Sequence, residues 1–305
     1  MAQLSGVLHT YAESVRREDI LDEIKDVSPD ANYLVTTLSD VSVSQTLHQW
    51  PEYYISRESS NDKAQEGDDN SYSDLTVATM RSNIAQIVKQ TFAVSETEIV
   101  VDKVSPKDAY AREMNNAMRK VKNKMEYAVL RGTEASGGSG VARETAGFIR
   151  QTGNLGGALF TARASGTSLT ETLFNEQFIY NSWNVTDEYI ADLILMSGLV
   201  KADVSKFTAG NTRNVSADDK RLIKAISIYE SDYGIHEIRA HKDMPSGAML
   251  GLRKELCHVG YLRKPKHVAN SITGDNKKGH IVTELLAQAD SSRSHIYVSG
   301  LRAGL

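Results

Sequence analysis

The sequence predicts an α+β fold in which an extended β-hairpin leads into one long helix and strands return in the last third of the chain. Three observations carry this reading. Two β-rich stretches, one from Val41 and one from about Leu75 to Val94, flank a long polar insert. An apolar stripe repeats at spacings of three and four from Tyr110 to Ala128. From about Ile223 β-formers dominate, with turn signals at Tyr233-Gly234, Pro245-Ser246-Gly247 and Gly274-Asp275-Asn276.

The bulk numbers set limits. With 305 residues, 40% of them apolar, and 21 glycines, the chain can bury one sizeable core or two intimate subdomains. Its 35 basic and 39 acidic residues leave a formal charge of −4, which excludes nucleic-acid affinity driven by net charge alone. One cysteine, Cys257, excludes an intrachain disulfide framework and suits a reducing compartment. The N-terminus lacks the apolar core of a secretion signal. The most apolar stretch, Tyr189 to Val200, is broken by Asp192 and too short for a bilayer. The expectation is a soluble protein, cytoplasmic when made, without a membrane partner.

In chain order, residues 1–40 hold no sustained apolar period and read as an arm lying on something else. Val41, Val43 and Leu47 then alternate, and Trp50, Tyr53, Tyr54 and Ile55 follow around one proline. The insert from Arg57 to Ser73 has no aliphatic residue larger than alanine, so it cannot pack a core and reads as the tip of a projecting hairpin. Ser105-Pro106-Lys107-Asp108 carries the signals of a helix start, and Gly132 those of a stop. Between them Tyr110, Met114, Ala117, Val121, Met125 and Ala128 form the buried stripe. Arg112, Arg119, Lys120, Lys122, Lys124 and Glu126 form the polar remainder. Gly132 to Gly140 reads as a flexible linker, GFIRQT after Ala146 as a short strand, and Ser168–Ser182 and Thr186–Lys206 as two capped helices.

Few residues suggest chemistry. His236 and His241 are five apart in a strand-like segment and point to opposite faces, which makes them poor co-ligands. Cys257 and His258 diverge in the same way, so a small buried thiol is expected. No zinc-ligand spacing is present, and neither GTEASGGSG nor GNLGG has the form of a phosphate-binding loop. Asp68, Asp69, Asn70 and Asp74 lack the glycine and glutamate of an EF-hand loop and read as a solvated tip. No catalytic, cofactor or metal residue is assigned. The clustered basic residues Arg112, Arg119, Lys122 and Lys124 have no interleaved aromatic, which points to a packing face or non-specific phosphate contact.

The order of arm, hairpin, long helix, mixed domain and returning strands resembles the Hong Kong 97-like fold of tailed-bacteriophage major capsid proteins. The phrases MRSNIAQIVKQTFAVSETE, YESDYGIHEIRAHKDMP and TGDNKKGHIVTELLAQADSSRSHIYVSGL are similar to a podovirus and siphovirus capsid family formerly known only as a domain of unknown function. The resemblance implies an arm at 1–40, an extended loop at 41–95, and a peripheral domain at 96–165 with its spine helix at 106–131. An axial domain at 166–250 and returning peripheral strands at 251–305 complete it. It further implies an icosahedral head shell around double-stranded DNA, built of hexamers and pentamers, with no cofactor and no catalysis. Each extended loop lies over a neighbouring subunit, so Trp50, Tyr53, Tyr54, Arg57, Glu58, Glu66, Asp68 and Asp69 become expected intersubunit contacts. Arg112, Arg119, Lys122 and Lys124 become an inner basic face touching packaged DNA. No long charged helical extension precedes the arm, so an internal scaffolding segment is expected to be absent or removed; a separate scaffolding protein is expected beside portal and decoration proteins, and no crosslink is assigned. Two other readings stand: an encapsulin shell of the same fold around cargo enzymes, and an enzyme with a site built from His236, Glu255 and His280.

Overall fold

The computed structural model describes residues 32–53, 63, 65–67, 69, 77–101, 108–154, 158–161, 168–186, 190–207, 227–271, 273–291 and 295–301. The expectations for the arm before residue 32 and for most of the hairpin tip lie outside these residues.

The described chain opens with a short helix α1 (Tyr33–Thr37) and strand β1 (Ser39–Ser42). Strands β2 (Leu47–Glu52) and β3 (Thr79–Ile84) pair antiparallel from Leu47 opposite Ile84 to Glu52 opposite Thr79, which is the hairpin the sequence predicts. Pro51 is tolerated because this ribbon has two strands, so a missing donor can face outward. Beyond Ala85, β4 (Gln86–Ser95) enters a four-stranded sheet with β1, β12 (Cys257–Ala269) and β13 (Asn276–Ala289), in the order β1-β12-β13-β4. β12 keeps Pro265 within a register irregularity between Arg263 and Lys266, where the ladder is already interrupted. A short helix α2 (Glu96–Val100) follows β4.

Helix α3 (Ala109–Arg131) has 23 residues, about 35 Å at ~1.5 Å each. Its N-cap is Asp108, whose carboxylate accepts from the Ala111 main-chain N–H at 2.9 Å, so the start lies three residues beyond the expected Ser105. The end at Gly132 is as expected. Ala117, Val121, Met125 and Ala128 are buried as the stripe requires, but Glu126, assigned to the polar side, is buried too.

Gly132 to Gly140 is no loose linker. β5 (Thr133–Ala135) and β6 (Glu144–Ala146) pair, and Gly137 and Gly140 take φ of 78° and 83° in the turn between them. A Cβ on Gly147 would stand 2.6 Å from the Gly132 nitrogen, so these glycines permit a close backbone crossing. GFIRQT, expected as a strand, forms helix α4 (Phe148–Asn154). Phe148 and Gln151 are both buried at a helical spacing of three, a pattern too short to separate the two periods.

The first of the two expected helices exists as a π-helical turn, Leu173–Ile179, running into α5 (Tyr180–Thr186). The second does not. Thr186 ends α5, and the following apolar run is strand β8 (Leu193–Met196) and then helix α6 (Gly198–Val204). β8 is central in a six-stranded sheet ordered β7 (Ala158–Thr161), β14 (His295–Ser299), β11 (Met249–Leu252), β8, β10 (Gly234–Ala240), β9 (Ile228–Ser231). It is buried on both faces, so its sequence shows continuous hydrophobicity and no strand alternation.

That strand divides two cores. Leu193 and Leu195, with Leu250 and Leu252 of β11, join Val121, Met125 and Leu130 of α3 and Leu285 of β13. Ile194 and Met196 face Phe174, Phe178, Val200 and Ile296. Four buried leucines contribute about 2 kcal/mol each, of the order of a domain's whole net stability. The six-stranded sheet is therefore fixed to α3.

Candidate intersubunit surfaces

The base of the β2–β3 hairpin is fastened to the end of β13. Trp50 is 6% exposed and its indole N–H donates to the Ala289 carbonyl at 3.0 Å. Asn83 of β3 uses its whole side-chain amide: Nδ2 donates to the carbonyls of Ala146 and Ala287, and Oδ1 accepts from the N–H groups of Ile84 and Ala146. Buried Glu52 takes Arg81 Nε at 2.5 Å and the Ser291 hydroxyl at 2.8 Å. These bonds couple the two hairpin strands to the long sheet.

A second fastening holds α1. Glu126 of α3 is fully buried; its Oε1 accepts from the Leu34 N–H at 2.7 Å and from His241 Nε2 at 2.9 Å, and its Oε2 accepts from the Val35 N–H at 2.9 Å. His241 Nδ1 accepts from the Asp243 N–H, which assigns the ring proton to Nε2 and makes that atom the donor to Glu126. Tyr33 adds a further tie by donating to Glu237 at 3.0 Å, while Arg239 stacks 4.1 Å over its ring. Lys254, with Arg239 and Tyr33, outweighs desolvation and holds the Glu237 carboxyl at about 2.

The family model described as SU10 major capsid protein matches residues 5–302. The chain belongs to that family. Solved capsids are similar to it in fold. A native GTA particle capsid aligns with a TM-score of 0.70 at 12% identity, over 95% of this chain and 97% of that one. The cyanophage A-1(L) capsid gives 0.70 at 13% identity, over 97% and 100%. The SrpI encapsulin of Synechococcus elongatus gives 0.60 at 9% identity, over 97% and 96%. No curated protein matches the chain. The Hong Kong 97-like fold expected from the order of elements is thus present, and family membership makes this a phage head-shell subunit. The encapsulin likeness is one of fold.

In this capsid subunit the expected contact residues separate. Trp50 is turned into its own chain as the hairpin's anchor. Tyr53 is 60% exposed, and Glu66 and Asp69 are exposed. Tyr54, Arg57, Glu58 and Asp68 lie outside the described residues. The basic cluster separates as well. At ~100° per residue Arg112, Arg119 and Lys122 share one side of α3, whereas Lys124 lies well away from them. Lys124 donates to the Lys89 carbonyl at 3.1 Å and to Gln90 Oε1 at 2.8 Å, so it is a tie to β4 and leaves the basic face.

His236, Glu255 and His280 are not brought together. His236 bonds the Ala191 carbonyl and Ser231, Glu255 pairs with Arg253, and His280 bonds Asn270 on the other sheet. Cys257 is buried, as expected.

The capsid protein's stability is expected to depend on pH through His295 in β14. Burial pushes its pKa down to about 4, against a smaller upward pull from a Gln151 main-chain hydrogen bond and from Glu52. An unfolded histidine titrates near 6.5. The neutral buried ring therefore contributes its full stability above pH ~6.5, and that contribution falls, by up to about 3 kcal/mol, as the pH drops toward 4. Denaturant titrations at pH 7 and pH 4.5 should show this loss, and His295→Gln should flatten the slope between them.

Proposed function

We propose that this subunit closes an icosahedral head around double-stranded DNA as pentamers and hexamers, with the β2–β3 hairpin as a clasp over the neighbouring subunit. In this reading 41–95 is the extended loop, 96–165 with 251–305 the peripheral domain, and 166–250 the axial domain. A scaffolding protein, a portal and decoration proteins join it in the host cytoplasm. The observation that carries the proposal is the contrast within the hairpin: its root is tied into β13 through Trp50, Asn83 and Glu52, while its connection is polar and lacks core-forming residues. Free strand edges can pair with another subunit, and a polar tip keeps the unassembled chain soluble. Weak heterologous contacts of this kind become collectively strong when a shell closes.

The fixed six-stranded sheet shapes the rest. With Leu193 and Leu195 inside the spine's core, changes between pentamer and hexamer fall on contacts between subunits, and the glycine-rich hairpin at Gly132–Gly140 is no hinge. Arg112, Arg119 and Lys122 meet DNA through charge alone. Imaging and sedimentation of the purified chain, with its scaffold present, should give uniform hollow particles. Monomers or dimers alone under those conditions would contradict the proposal.

A further inference from the structure

A groove of about 560 Å³ lies at the β9 margin of the six-stranded sheet, between α5 with its preceding π-helical turn and the β9–β10 turn. Its walls include Tyr180, Tyr229 and Tyr233, and its rim carries Glu176, Glu230 and Asp232, all three exposed. The rings of Tyr180, Trp183 and Tyr233 contact one another with centroids 5.4 to 6.2 Å apart. Tyr180 and Trp183 are 40% and 43% exposed. Among the described residues no basic side chain lines this groove.

Such a site is built for a cation. Aromatic faces and carboxylates both attract an ammonium or guanidinium group, and Arg gains further by stacking. Tyr229 senses the same field: its pKa is raised chiefly by burial and also by the carboxylates of Glu171 and Asp232.

The chain itself offers the complement. In residues 166–250 Lys206 is paired with Asp203, Arg239 with Glu237, Lys242 lines a different groove against α3, and the Lys201 Nζ is buried. The remaining basic residues, Arg213, Lys220, Arg221 and Lys224, fall in one short stretch with only Asp218 and Asp219 opposing them. We propose that the aromatic groove of one subunit receives basic side chains from the 213–224 stretch of a second copy, so that neighbouring axial domains are joined head to tail. The proposal rests on the capsomer reading above and names the contact that would join its members.

The test is charge-swap complementation. One variant carries Glu230→Lys and Asp232→Lys; the other carries Arg213→Glu, Lys220→Glu and Arg221→Glu. Each alone should yield at least ten-fold fewer assembled particles than the parent, with an unchanged melting temperature. Mixed in equal amounts, they should regain hexamers, in which the two variants can alternate so that each groove meets an opposite charge on its neighbour; five-membered rings cannot alternate and are not the readout. Normal assembly of either variant alone would overturn the proposal and would fit a groove that serves a foreign ligand. So would recovery of hexamers only when all changes sit in one chain and not in the mixture, which means the stretch fills its own groove. If the parent chain itself forms no capsomers, the capsomer reading fails, and that outcome is separate from these.

Discussion

A chain lacking Glu58–Tyr72 is expected to fold with an unchanged melting temperature and to form no stable shells. The first half follows from where the hairpin's stability resides. Trp50, Asn83, Glu52 and Arg81 hold its root against Ala289, Ala287 and Ser291, and all of them lie outside the deletion. The deleted stretch offers the monomer no apolar side chain larger than alanine except Tyr72. Shortening the connection between Glu52 and Thr79 changes closure entropy by only some tenths of a kcal/mol. The second half follows from the clasp. Without a tip the subunit keeps its sheets and cores but loses its reach to a neighbour, and particle yield should fall by orders of magnitude. Circular dichroism melting and electron microscopy read the two halves separately; normal particles from the deletion would remove the clasp from the account.

Glu126→Ala carries the largest expected cost to the subunit itself. The change removes the acceptor for the Leu34 and Val35 N–H groups and for His241 at a fully buried position. Leaving buried donors unpaired costs about 1–3 kcal/mol each, and breaking a buried polar network typically about 3–5 kcal/mol in all. Set against a net stability of about 5–15 kcal/mol, that loss should release α1 from the spine helix before global unfolding. Glu126→Gln keeps one acceptor oxygen and should cost less. His241→Ala should cost less again, since the carboxylate keeps two main-chain donors. Denaturant unfolding with limited proteolysis near residue 38 measures the series. A loss under 1 kcal/mol for the alanine variant would show that α1 is held by Leu34 and Leu38 packing alone.

What could be read from the sequence follows the range of each signal. The hairpin is legible because its polar insert and flanking β-formers are local. The spine is legible because a stripe from Ala117 to Ala128 repeats within a few turns. Glu126 gave no such signal. Its partners Leu34 and His241 lie 92 and 115 residues away, and a glutamate between Met125 and Ala128 looks like any solvated helix position. β8 was misread because Leu193–Met196 is buried on both faces, which erases the alternation that marks a strand. Gly132 reads as a helix stop that opens a flexible linker and Gly147 as the start of a short strand, whereas their missing side chains serve a backbone crossing that only the fold creates. The aromatic groove needs Tyr180 and Trp183 of α5 beside Tyr233 of the β9–β10 turn, residues that only the sheet order brings together.

The central claim is that the hairpin joins subunits. A side-chain-resolution electron-microscopy map of assembled heads tests it directly. Residues 53–78 are expected to lie against a neighbouring subunit at every hexamer and pentamer position, with the Trp50 root unmoved in its own chain. A map in which those residues contact only their own subunit would contradict it.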